Sequence, residues 1–232
     1  FGLKKIKVLL LPGQSFSWKN NQSYSHIIMI LGGAGGGAGG AYISGSTGYA
    51  GGGGGSGALI MLKMQLKYGD QISVSVGQGG APGTSGTSPT AGQNGGATTL
   101  TLTDIDGNQY IFQAGGGSGG GAGSASGEGT PGQGGQFIIG PATPNAPYRY
   151  ALVYYVANGN AGSGSQPGAL SPNQAILNAL LPELPPNYNS SIIFGENETI
   201  IGTSLSSGPG GTSSTSSQPT AGGGGIAYLV IE

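Results

Sequence analysis

The chain has 232 residues, of which 53 are glycine and none is cysteine, and its formal net charge is -1. Only 6% of its residues are charged, against about 25% in an ordinary soluble domain, so the electrostatic surface that draws nucleic acid or anionic lipid is missing. Without cysteine, disulfides, dithiol redox chemistry and thiolate metal sites are excluded.

Residues 3–11 alternate partly with period two and predict a strand, which Pro12-Gly13 ends. Lys4, Lys5 and Lys7 read as solvated positions flanking an edge strand. Residues 26–31 show no polar alternation, the pattern of a strand buried on both faces, and run straight into a glycine-alanine tract at 32–40. A second glycine run, 51–57, precedes an apolar strand at 58–66. Tyr68-Gly69-Asp70 marks a turn. Ile72, Val74 and Val76 then alternate with Gln71, Ser73 and Ser75, which predicts a half-buried strand. Residues 98–103 and 110–112 flank Asp104-Ile105-Asp106-Gly107-Asn108, and an Asp-Gly step between two β-rich runs predicts a hairpin. A third glycine tract fills 115–123, and residues 222–225 feed a closing strand at 226–231.

The expected organisation is a glycine-rich β framework at 1–123, an insertion at 124–220 and the closing strand of the framework at 221–232. The insertion holds most of the prolines and a tyrosine-rich strand at 148–156. It also holds one helix signal: Ser171 as N-cap, Pro172 in the first helical position, and Pro182 as the stop. The apolar run 150–157 is far shorter than the roughly 20 residues that cross a bilayer, and no signal-peptide pattern opens the chain at Phe1.

A glycine run cannot make a stable helix or a packed strand, because glycine loses the most backbone entropy and brings nothing to bury. Several runs lying side by side can become ordered. Glycine adopts the polyproline-II backbone with three residues per turn, and without Cβ atoms neighbouring chains approach closely enough to share N–H···O=C bonds. The expected fold class is therefore all-β: an antiparallel β-sandwich-like body with packed polyglycine-II helices and one short α-helix in the insertion.

The order of features carries a resemblance. Leu31-Gly32-Gly33-Ala34-Gly35-Gly36-Gly37 follows an apolar strand. Tyr68-Gly69-Asp70 and Val76-Gly77-Gln78-Gly79-Gly80 bracket the next strand, and Ala221-Gly222-Gly223-Gly224-Gly225-Ile226 opens the last. Over about residues 2–123 and the last dozen, the chain resembles the glycine-rich domain at the C-terminal ends of phage tail fibre proteins. It is also similar to the polyglycine-helix adhesins at the tips of T-even-type long tail fibres. The resemblance implies a virion-surface or extracellular protein that recognises a host cell-surface receptor, an outer-membrane protein or a glycan. It further implies a homotrimer or attachment to a fibre shaft.

Motifs for chemistry are weak. Residues 35–40 satisfy G-x-G-x-x-G, but no helix follows to hold a pyrophosphate, so no cofactor is expected. Asp104, Asp106 and Asn108 imitate the start of a calcium loop, with glycine at the fourth position instead of the sixth, and read as a turn. Residues 116–120 match G-x-S-x-G without the helix that a nucleophile elbow needs. His26 is the only histidine and reads as structural. No catalytic or metal site is expected. The receptor-binding candidates are Tyr148, Tyr150, Tyr154, Tyr155 and Tyr188, since tyrosine offers amphipathic contact area at low entropic cost. The other reading of the same residues is packing of the insertion's own core. The expected function is a non-enzymatic adhesin that contacts its receptor through the insertion and the variable loops between glycine runs, with a filament or coat subunit that self-assembles through strand pairing as the alternative.

Overall fold

The computed structural model describes residues 5–21, 24, 26–169 and 210–232. The helix expected from Ser171 and the candidate Tyr188 lie outside them. The described residues contain no helix. They form twelve strands: β1 (Ile6–Leu10), β2 (Ser15–Lys19), β3 (His26–Gly32), β4 (Tyr42–Ser44), β5 (Thr47–Tyr49), β6 (Leu59–Gln65), β7 (Gln71–Ser75), β8 (Thr98–Thr103), β9 (Gln109–Ala114), β10 (Phe137–Pro141), β11 (Ala151–Ala157) and β12 (Ile226–Ile231).

The described residues are all-β. One five-stranded sheet has the order β1-β12-β3-β6-β11 and the other β10-β9-β8-β7-β2; all their pairings are antiparallel. A shared core joins the sheets, with Ile27, Met29, Leu31, Ile60 and Leu62 of the first against Ile72, Val74, Leu100, Leu102 and Phe112 of the second. β7 shows the expected alternation, with Ile72 and Val74 buried and Gln71, Ser73 and Ser75 exposed. β3 is buried along nearly its whole length, as its unbroken apolar run requires. Its other face joins a second apolar cluster that includes Ile28, Ile30, Met61, Tyr228 and Val230. The β8–β9 hairpin turns on Asp104, whose Oδ1 accepts N–H bonds from Asp106 at 3.0 Å and Asn108 at 2.8 Å, with Gly107 at φ 83°.

Beyond one end of the sheets the chain continues as glycine-rich segments bonded to one another through backbone. Their register has a period of three. Gly33, Gly36 and Gly39 donate N–H bonds to the carbonyls of Ala58, Gly55 and Gly52. Ala34, Gly37 and Gly40 donate to Gly96, Gln93 and Thr90, and Gly35 and Ala38 donate to Gly223 and Thr220. The same segment accepts from Gly80, Gly83 and Gly86, from Gly117, Gly120 and Gly123, and from Gly211. Segment 51–58 repeats the pattern: Gly52, Gly55 and Ala58 donate to Gly121, Ser118 and Gly115, while Ala50, Gly53 and Ser56 accept from Gly129, Gly132 and Gly135. Contacts this close exclude side chains at many positions. A Cβ built on Gly54 would fall on the carbonyl oxygen of Gly36.

The molecule therefore has two ends. At the outer end of the glycine segments lie the turns that reverse them: residues 44–47, 86–90, 124–127, 163–166 and 213–220. At the opposite end of the sheets lie Ile6 and Ile231, paired with each other, and the loop 142–150 between β10 and β11. Among the described residues all lysines and the arginine (Lys5, Lys7, Lys19, Lys63, Lys67 and Arg149) sit in or beside the two sheets, and the glycine-rich half carries one charged side chain, Glu128.

Candidate binding site

The tyrosines singled out by sequence separate into two environments. Tyr148 is fully exposed and Tyr150 is 77% exposed; both stand at the loop that leads into β11. Tyr154 and Tyr155 are half-buried and pack against the outer apolar cluster of the first sheet. A register shift between Val153 and Tyr155 accompanies this placement. So two of the candidates face solvent, two pack, and Tyr188 lies outside the described residues.

The loop bearing Tyr148 is anchored from below. Arg149 Nη1 and Nη2 each donate to one carboxylate oxygen of Asp70 at 2.7 Å, a bidentate pair with side-chain exposures of 6% and 1%. Asp70 Oδ2 also accepts the Lys67 N–H at 2.7 Å. The guanidinium lies 5.3 Å from the centre of the Tyr110 ring, and Tyr110 Oη donates to the Pro147 carbonyl at 2.6 Å. Burial works against the charge on Arg149, but the Asp70 carboxylate overrides it and holds the guanidinium above its ordinary value. Above this anchor opens a mostly apolar cleft of about 600 Å³, lined among others by Met64, Phe112, Ile139, Asn145, Tyr148 and Arg149. Its volume is in the range of ligand sites. Asn145, at φ 60°, shapes its rim.

The second candidate surface is the turn end. Two turns share one closure: Thr84 N–H donates to Thr90 Oγ1 at 2.9 Å while Thr90 N–H donates to the Thr84 carbonyl at 3.0 Å. Thr212 and Thr220 repeat it at 2.7 and 2.9 Å. Two further turns close by reciprocal backbone bonds, Ser124 with Gly127 and Ser163 with Gln166. The exposed residues there, such as Ser46, Ser88, Ser126, Ser163 and Ser216, are small and carry hydroxyls. Sequence reasoning expected the loops between glycine runs to contact the receptor but named none of these residues. The available signal was the serine- and threonine-rich gap between each pair of glycine runs.

The remaining motifs are occupied by structure. In the G-x-G-x-x-G stretch the N–H groups of Gly35, Gly37 and Gly40 are bonded to Gly223, Gln93 and Thr90, leaving none of these three for a phosphate. Ser118 Oγ accepts the Gln133 N–H at 2.6 Å. His26 pairs through its backbone with Glu232. Among the described residues no group of three or more His, Cys, Asp or Glu side chains could hold a metal ion, and no helix is long and apolar enough to cross a membrane.

Two antiparallel five-stranded sheets continued by backbone-bonded glycine segments define a glycine-rich β-protein. The chain belongs to the glycine-rich domain family, whose sequence profile matches residues 11–229. Comparison with curated proteins returned no match.

Proposed function

We propose that this chain is a non-enzymatic receptor-binding domain, an adhesin of the kind borne by phage tail fibres or similar virion-surface proteins. The observation that carries the reading is the three-residue register among the glycine segments. Three residues per turn is the period of the polyproline-II backbone, so these segments are read as polyglycine-II helices packed side by side. A lattice of this kind orders backbone without side chains. It presents its turns from a stiff base and leaves their sequences free to vary, which is what a recognition surface requires.

Further support comes from polarity. Among the described residues the turn end lacks lysine and arginine, so recognition there rests on hydroxyls, backbone groups and shape. Ile6 and Ile231 sit at the opposite end, where a fibre shaft would join without covering the turns. The partner on this reading is a host cell-surface receptor, an outer-membrane protein loop or a glycan, and no cofactor is required.

The test uses labelled chain on a panel of intact bacterial strains. Turns 86–89 and 214–217 are replaced by Gly-Ser stretches of equal length in one variant, and Tyr148 and Tyr150 by alanine in another. The expected result is strain-selective binding that the turn variant loses with its Tm kept. Binding unchanged in both variants would remove the assignment of recognition to either surface, and no binding to any strain would count against an adhesin.

A further inference from the structure

The four outer edges of the two sheets are not alike. β1 and β11 border the first sheet, β2 and β10 the second. Because β6 packs on β9 and β3 on β8, β11 and β10 share one side of the body, and β1 and β2 share the other. The β1–β2 side carries Lys7 and Lys19, together with Lys5, whose charge is paired with Glu232 at 3.0 Å. Lysine on an edge strand opposes pairing with another chain. The β10–β11 side carries no charged residue in either strand, and among the described residues neither strand has a second neighbour. Ile138, Ile139, Leu152 and Val153 are exposed on it, from 36% to 55%.

We infer that the β10–β11 side is a self-association surface whose occupant is a second copy of this chain. Charge is the first argument. Across a two-fold axis every residue faces the same patch on its partner, so a lysine-bearing side repels itself and an uncharged apolar side does not. Chain direction is the second. β10 runs away from the glycine segments into loop 142–150, and β11 runs back toward them. A two-fold axis parallel to the strands keeps these directions. It sets β11 of one copy antiparallel beside β10 of its partner, on both sheets at once. Both turn ends then point the same way, and the exposed apolar residues meet at the junction.

The geometry also limits the assembly. Pro141 lacks an N–H, and the register shift between Val153 and Tyr155 bends the β11 edge. A long backbone ladder is therefore interrupted, and side-chain packing carries most of the contact. Once two copies have joined, the remaining edges are those with lysines, so association closes at the dimer. The side is about 20 Å tall for five to seven residues and the sheets are about 10 Å apart. That is small beside the roughly 800 Å² per partner of a standard interface, so the dimer is a weak one.

Sedimentation equilibrium of the full chain from about 1 to about 100 µM covers the range of a micromolar dissociation constant. A concentration-dependent dimer is expected. Leu152→Lys and Ile138→Lys, both at exposed positions, should weaken it at least tenfold with far-UV circular dichroism unchanged. The chain has no cysteine, so engineered thiols report geometry independently of stability. A mixture of Ile139→Cys and Val153→Cys chains should form an interchain disulfide faster than either alone. A monomer throughout the range would overturn the inference, as would a trimer or disulfides formed best by Val153→Cys alone. Loss of cell binding by Leu152→Lys in a chain that never dimerises would assign this side to a foreign partner and overturn it equally.

Discussion

At the residue scale, the lattice depends on what glycine lacks. A Cβ on Gly54 would meet the Gly36 carbonyl, a backbone atom with no freedom to rotate away. Gly127, in a turn, has nothing within 4 Å of its Cβ position. Gly54→Ala is expected to cost about 1–3 kcal/mol or more, the range for overpacking, while Gly127→Ala stays within about 0.5 kcal/mol; Tm values of the two variants check this. A second prediction concerns Glu232. Lys63 and Lys5 bond its carboxylate, and the Lys63 bond leads in holding its pKa below the ordinary 4.5. A depressed carboxylate binds fewer protons in the native state than in the unfolded one. Its stabilisation is thus present at neutral pH and is lost as pH falls below 4.5 through the folded value. Glu232→Gln should lower stability at neutral pH by less than about 1 kcal/mol, since the pair is partly exposed. The melting curves of variant and parent should converge in acid.

At the element scale, legibility followed side-chain pattern. β7, β8 and β12 were readable because period-two alternation or an unbroken apolar run states which faces are buried. β2 and β10 were not, since serines in Ser15–Lys19 and the Gly-Pro end of Phe137–Pro141 blur the pattern; each lies on an edge, where one missing neighbour relaxes the demand for apolar residues. β4 and β5, three residues each, are too short to show a period. The tyrosines were legible as residues but not as a site. Which of them faces solvent depends on the register shift in β11 and on Arg149 reaching Asp70, 79 positions away. That pair ties loop 142–150 to the β6–β7 turn. Arg149→Met leaves a buried carboxylate without its partner, and a loss of about 3 kcal/mol is expected, the low end for such pairs. Adding Asp70→Asn should recover part of it, because the uncompensated charge goes with it. Urea unfolding of the single and double variants measures both.

At the scale of the whole molecule, the two halves are held by different physics. The sheet half buries aliphatic side chains in one shared core. The glycine half is ordered by backbone bonds among segments that carry little apolar surface. Heat capacity separates these contributions, because exposing apolar surface on unfolding raises it and exposing peptide groups lowers it. A chain with 53 glycines should therefore unfold with a heat-capacity change per residue below the usual 12–15 cal/mol/K or so. A smaller change flattens stability against temperature. Calorimetry gives the value, and native-state hydrogen exchange locates it. The amides of Gly36, Gly39, Gly52 and Gly55, each bonded inside the lattice, should exchange as slowly as those of β3 and β6, and the turns near Ser126 much faster. Rapid exchange at those four glycines would mean that the segments open independently of the sheets, and the turns would then lack a rigid base.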